Sequence, residues 1–141
     1  MNLQKAFLVL GTMLFLAGLL TGLATGLMAN PRMGLSAHMQ GLTNGMFLLA
    51  VGASWRFVSS GPRLSQATFA LLAYGTVANW LSTTLAAIWN TGELTPIHGP
   101  HPSAAPWQEM IISLGLLSLT LAMILGTVLL LLGYLQGKSE L

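Results

Sequence analysis

Asn30-Pro31-Arg32-Met33-Gly34-Leu35-Ser36-Ala37-His38-Met39-Gln40-Gly41-Leu42-Thr43-Asn44-Gly45 is the stretch around which the chain is organised. It reads as a turn, Asn30 to Gly34, leading into a hydrophobic helix that carries His38, Gln40 and Asn44. Ionisable groups inside a membrane-length apolar segment are costly and rare, and His38 is the one histidine in such a segment. At about 100° per residue, Gly41, Gly45 and Gly52 fall within roughly 60° of His38. The imidazole therefore stands on a strip almost bare of side chains, which admits either another helix backbone or a flat cofactor. Asn44 points about 120° away from His38, with Gln40 one turn before it on that second face. One helix thus offers a candidate ligand on one side and amide hydrogen-bonding groups on another.

Composition sets the class. Of 141 residues, 54% are hydrophobic and 6% charged, and the mean hydropathy is +0.74. Soluble domains carry about 25% charged residues, so this chain is built for lipid. With no cysteine, disulfides, iron–sulfur clusters and thiolate ligation are excluded. With no aspartate and only Glu93, Glu109 and Glu140 as acids, paired-carboxylate chemistry has little material. A net charge of +2 does not suggest nucleic acid as a partner; it reads as the cations that orient a membrane protein. The first apolar run reads as a retained helix and not a cleaved signal peptide.

Working outward, four apolar segments approach the roughly 20 residues a bilayer crossing requires. They lie at Ala6–Ala29, Leu35–Val58, Leu64–Trp89 and Trp107–Leu135, which predicts a single all-α domain, an integral membrane four-helix bundle. In the first, Gly11, Gly18, Gly22 and Gly26 share one face and read as a close helix–helix contact. The third carries a polar stripe of Thr76, Asn79, Ser82 and Thr83, and Asn79 is expensive in hydrocarbon unless it meets protein or a polar ligand. The fourth is leucine-rich and reads as lipid-facing packing material. Lys5, Arg56, Arg63 and Lys138 fall on one side of such a bundle and Arg32 on the other, which places both termini in the cytoplasm. Arg32 opposes that rule, and it lies beside the entrance to the His38 helix.

His38 is the strongest single candidate, since a neutral imidazole binds metals and commonly holds haem iron. With no second histidine in an apolar segment, bis-histidine electron transfer within one chain is disfavoured. A single axial histidine leaves the opposite iron position open for Lewis-acid chemistry. The competing reading is a histidine hydrogen-bonded between helices. His98 and His101 flank Gly99-Pro100 in a proline-rich link, where no third or fourth metal ligand is apparent.

With these residues assembled, Asn30–His38 followed by Gly41 and by Asn44-Gly45-Met46-Phe47 resembles the hydroxylaminobenzene mutases, small integral membrane proteins. These convert hydroxylaminobenzene to 2-aminophenol by moving the hydroxyl from nitrogen to the ortho carbon. A more distant similarity, through Ala37-His38, Asn44-Gly45-Met46 and Ala78-Asn79, connects the chain to styrene oxide isomerases. That similarity implies a bacterial-type inner membrane protein, a homotrimer, and haem b near subunit contacts with His38 as axial ligand. It also implies that Asn44 positions an aryl hydroxylamine substrate and that Asn79 lines the same pocket. Gly41 and Gly45 would then flank the cofactor, and Arg32 would pair with a haem propionate, since arginine matches carboxylates bidentately. Thr83 stands where the styrene oxide enzymes have a tyrosine one turn after the helix-three asparagine, which favours the mutase over epoxide isomerisation. The alternatives are an epoxide isomerase, a haem-binding electron carrier, a small transporter lacking its usual membrane carboxylate, and a structural subunit.

Overall fold

The computed structural model describes residues 2–95, 97 and 102–137; His98, His101 and Lys138 lie outside them. Four helices follow in order: α1 (Leu3–Ala24), α2 (Pro31–Ser54), α3 (Pro62–Trp89) and α4 (Pro106–Gln136). Short 3₁₀ turns, Thr25–Leu27 and Trp55–Phe57, close α1 and α2. No strand occurs among the described residues.

Three of the helices open on a proline at their first turn, Pro31, Pro62 and Pro106. A first-turn residue has no intrahelical acceptor for its N–H, so the missing donor costs nothing and the fixed φ favours the helix. This corrects the reading of Asn30–Gly34 as a link. Pro31 to Gly34 are the first turn of α2, and Asn30 is the cap, its side-chain oxygen accepting from the Met33 N–H at 3.1 Å. The first helix correspondingly ends at Ala24 and not at Ala29.

The four helices match the expected number of segments, though they are not equally apolar. Three helical stretches are long and apolar enough to cross a membrane: Leu3–Leu27, Pro62–Trp89 and Pro106–Gln136, of 25, 28 and 31 residues. The 24-residue α2 is long enough but carries Arg32, Ser36, His38, Gln40, Thr43 and Asn44, so composition and not length sets it apart. It is the polar helix of the molecule.

Successive helices pack along one another, α1 on α2, α2 on α3 and α3 on α4. Two apolar clusters sit at opposite ends. Phe7, Leu14, Leu48, Val51, Leu72 and Leu130 form one, with Phe7 against Trp55 and edge-on to Phe69, each at 4.9 Å. Met33, Ala86, Ala87 and Ile112 form the other, with Trp89 packed beside them. Between the clusters lies a layer containing Gly18, Thr21, His38, Gln40, Asn44, Thr76, Asn79 and Thr83.

Asn30 ties the second end together. Beyond its cap, its backbone N–H donates to the Ala87 carbonyl at 3.0 Å and its Nδ2 to the Ile97 carbonyl at 3.0 Å. It is 2% exposed. Asn30→Ala removes the cap and leaves the Ile97 carbonyl without its donor, a loss of about 2–3 kcal/mol. Asn30→Ser keeps a capping oxygen but does not reach Ile97, and loses about 1 kcal/mol. Unfolding in mixed detergent micelles measures both; equal losses would show that the Ile97 bond contributes nothing.

Candidate active site

The site is built on α2, and its two faces do different things. The first meets α1. A Cβ on Gly11 would lie 2.9 Å from the Gly45 carbonyl oxygen, one on Gly18 would lie 2.7 Å from the Gly41 carbonyl carbon, and one on Gly41 would overlap the Gly18 Cα. A Cβ on Gly45 would lie 2.6 Å from the Phe15 nitrogen. Of the two occupants the bare strip admits, the structure seats the backbone of α1. Gly41 and Gly45 are therefore covered by a helix and offer no face to a flat group. Gly26 falls in the 3₁₀ turn beyond α1 and meets nothing within 4 Å, so it drops out of the glycine stripe.

That close approach brings backbone to His38. Its Nδ1 lies 2.7 Å from the Gly18 carbonyl oxygen. A carbonyl only accepts, so in the neutral ring Nδ1 carries the proton and Nε2 the lone pair. His38 is half-buried, and Nε2 has no hydrogen-bond partner among the described residues and is not sealed off. The ring packs against Gly22, where a Cβ would stand 2.6 Å from Nδ1 and 2.9 Å from Cε1.

The second face of α2 meets α3. Asn79 Nδ2 donates to Gln40 Oε1 at 2.9 Å, and one turn along, Asn44 Nδ2 donates to the Thr76 carbonyl at 3.4 Å. All three amides are half-buried. Asn44 and Asn79 thus share the α2–α3 seam, while His38 faces the α1–α2 seam. Trp80 joins the two seams: it packs over Gly41 and its Nε1–H donates to Thr21 Oγ1 on α1 at 3.0 Å.

The remaining candidates stand apart from this arrangement. Thr83 is buried, and its hydroxyl bonds back to the Asn79 and Trp80 carbonyls of its own helix at 2.8 and 3.1 Å. Arg32 is exposed on the first turn of α2 and forms no ion pair among the described residues. Tyr74 is half-exposed and pairs with Ser118 at 2.7 Å. The sequence reading missed Glu109, which is 8% exposed in the first turn of α4. Its carboxylate accepts from the N–H groups of Gly92 at 2.8 Å and Glu93 at 3.2 Å, fastening the chain after α3 to α4. An acid in a helix's first turn is a common sequence feature, so only its partners distinguish this one.

Among known proteins, the family model described as styrene oxide isomerase matches residues 3–135. The chain belongs to the styrene oxide isomerase family. It is 46% identical over 123 residues to "Hydroxylaminobenzene mutase HabB" of Ectopseudomonas oleovorans, covering 86% of this chain and 75% of that one. To "Hydroxylaminobenzene mutase HabA" of the same organism it is 41% identical over 135 residues, 95% of this chain and 100% of that one. No solved structure matches. The resemblance read from Asn30–Phe47 therefore extends over most of the chain, and this member of the styrene oxide isomerase family is an isomerase.

Gly22 and Gly26 occupy the same sequence repeat but different surroundings, which separates site packing from mere smallness. Gly22→Ala displaces the His38 ring and costs about 1–3 kcal/mol, as overpacking does. Gly26→Ala, in open space, stays within about 0.5 kcal/mol of the parent. Detergent unfolding of both reads the difference, and indistinguishable variants would contradict the contact.

Proposed function

We propose that this isomerase is a membrane-embedded hydroxylaminobenzene mutase that converts aryl hydroxylamines to 2-aminophenols by intramolecular hydroxyl transfer. The observation that carries the reading is the 46% identity to a protein named for that activity, over most of both chains. The side chains are compatible with it. Overall the N–O bond breaks, a C–O bond forms at the ortho carbon, and the ortho hydrogen is lost as a proton while nitrogen gains one. Nothing is oxidised or reduced in sum, so no redox partner is required.

The residues fit ferric haem b as the cofactor. A bare metal ion needs three or four protein ligands, and no group of three His, Cys, Asp or Glu residues suited to one occurs among the described residues. A single histidine suffices where a macrocycle supplies the rest. His38 has the form such a ligand takes, Nδ1–H held by a backbone carbonyl and Nε2 bare. When bound, the haem would supply a Lewis-acid position for the N–O group. Asn44 and Asn79 would bind the hydroxylamine and orient it, and the apolar clusters on either side would keep bulk water out. Thr83, with its hydroxyl bonded to backbone, would shape the wall beside Asn79. Arg32 lies at the His38 end of α2, where a propionate partner would serve.

His38 and the amides face different seams of α2. This favours a homo-oligomer, a trimer by the family resemblance, in which the wall facing one copy's His38 comes from a neighbour. Exposed apolar side chains along α1 and α4, such as Leu16, Leu23, Leu121 and Leu135, suit lipid and such a neighbour. Lys5, Arg56 and Arg63 lie at one end of the helices and Arg32 at the other, in keeping with an inner-membrane protein whose termini are cytoplasmic.

Two measurements on the detergent-purified protein test this. In ¹⁸O-labelled water, hydroxylaminobenzene is expected to give 2-aminophenol free of label; labelled product would overturn intramolecular transfer. A Soret band present in the parent and lost in an assembled His38→Ala protein is expected, and a band retained in that variant would remove His38 as the ligand.

A further inference from the structure

The two amide pairs on the α2–α3 seam leave a definite set of unused hydrogen-bonding groups. The Thr76 carbonyl can only accept, so Asn44 must turn its NH₂ toward it and is left with a free carbonyl oxygen. In the Gln40–Asn79 pair one amide donates and the other accepts. Whichever donates, the pair retains one free carbonyl acceptor, the whole NH₂ of the accepting amide and the second N–H of the donating one. None of these groups has another partner among the described residues, and none is sealed away. The seam therefore presents two free carbonyl acceptors alongside unused amide N–H donors, held between apolar clusters where an unmatched polar group is costly.

An aryl hydroxylamine has the matching complement: an N–H and an O–H to donate and oxygen lone pairs to accept. An epoxide has an acceptor alone and would leave both carbonyls unmatched. Sites built to hydrogen-bond a substrate N–H or O–H reject analogues that lack it, by up to about 10⁴-fold. Gln40 decides whether the Asn79 amide can take part. Without a partner across the seam, Asn79 rotates freely about its terminal torsion, which is broad and nearly two-fold.

We propose that Gln40 is a specificity-determining positioning residue: it fixes the Asn79 amide so that, with Asn44, the α2–α3 seam reads both donors of an aryl hydroxylamine. This rests on the mutase reading above and adds to it the residue that makes the site prefer a hydroxylamine.

The test measures kcat/KM of the full-length protein for hydroxylaminobenzene and for N-methyl-N-phenylhydroxylamine, which lacks the N–H. The parent is expected to prefer the first at least tenfold. Gln40→Leu is expected to lower kcat/KM for hydroxylaminobenzene about tenfold or more and to bring the ratio between the two substrates toward one. Gln40→Glu, which keeps an oxygen within reach of Asn79, is expected to restore most of the ratio. A merely structural role would lower both substrates together and leave the ratio in place, and that result would overturn the proposal. Should Gln40→Leu fail to assemble, the parent still decides, since equal turnover of the two substrates by an active parent would overturn it. A parent with no activity on hydroxylaminobenzene would instead remove the mutase reading, and this assignment with it.

Discussion

The closeness of α1 to α2 is the constraint on which the rest of the structure depends. Ordinary helix pairs stand about 8–10 Å apart because side chains interleave between them. Here Gly18 lies on Gly41 and Gly11 on Gly45, so backbone meets backbone. Only at that spacing does a histidine on α2 reach the Gly18 carbonyl. That carbonyl already belongs to the α1 helical ladder, and its second lone pair takes the imidazole proton without breaking the helix. The same smallness that packs the two helices therefore also orients the His38 ring and leaves Nε2 as its available nitrogen.

Much of this was legible in the sequence, because helical periodicity alone fixes which residues share a face. His38 on a bare strip, and Gln40 with Asn44 on another face, follow from 100° per residue. The structure seats α1 on the first and α3 on the second. What periodicity could not decide was the strip's occupant, since a helix backbone and a flat ring both call for missing side chains. The boundaries were legible only in part. α2 begins at Pro31 and not at Leu35, since a proline before an apolar run can end a turn or open a helix. The Asn30 cap that decides between them is a matter of geometry. Nor does the position of Thr83 in the polar stripe reveal that its hydroxyl turns back on its own helix.

The Asn30 end shows a different limit. Glu109 and Asn30 take their partners from the connection between α3 and α4, which has no repeating pattern from which to read them. The connection begins where Asn90 leaves α3 with φ of 55°, a left-handed conformation that asparagine tolerates better than most residues. Past that reversal the Gly92 and Glu93 N–H groups have no helical partners, and the Glu109 carboxylate takes both. An acid that looks like a surface charge in the sequence thus becomes a buried fastener, because the backbone it meets would otherwise be unsatisfied. The polar layer is in this way closed at one end by specific hydrogen bonds and at the other by the aromatic packing of Phe7, Trp55 and Phe69.

The two seams of α2 are not independent. Gly41 has α1 on one side and the Trp80 ring on the other, and a Cβ there would strike both. Trp80 in turn donates to Thr21, whose own hydroxyl proton goes to the Ala17 carbonyl one turn back on α1. A single glycine thus lets a side chain from α3 cross α2 and fasten to α1. Any shift of α3 that moves the Asn79 amide must also move Trp80, and through it the helix that carries the Gly18 carbonyl. A crossing of this kind holds the relative positions of the groups on either side of it. The Trp80 crossing thus ties the packing around the His38 ring to that of the amides on the opposite face.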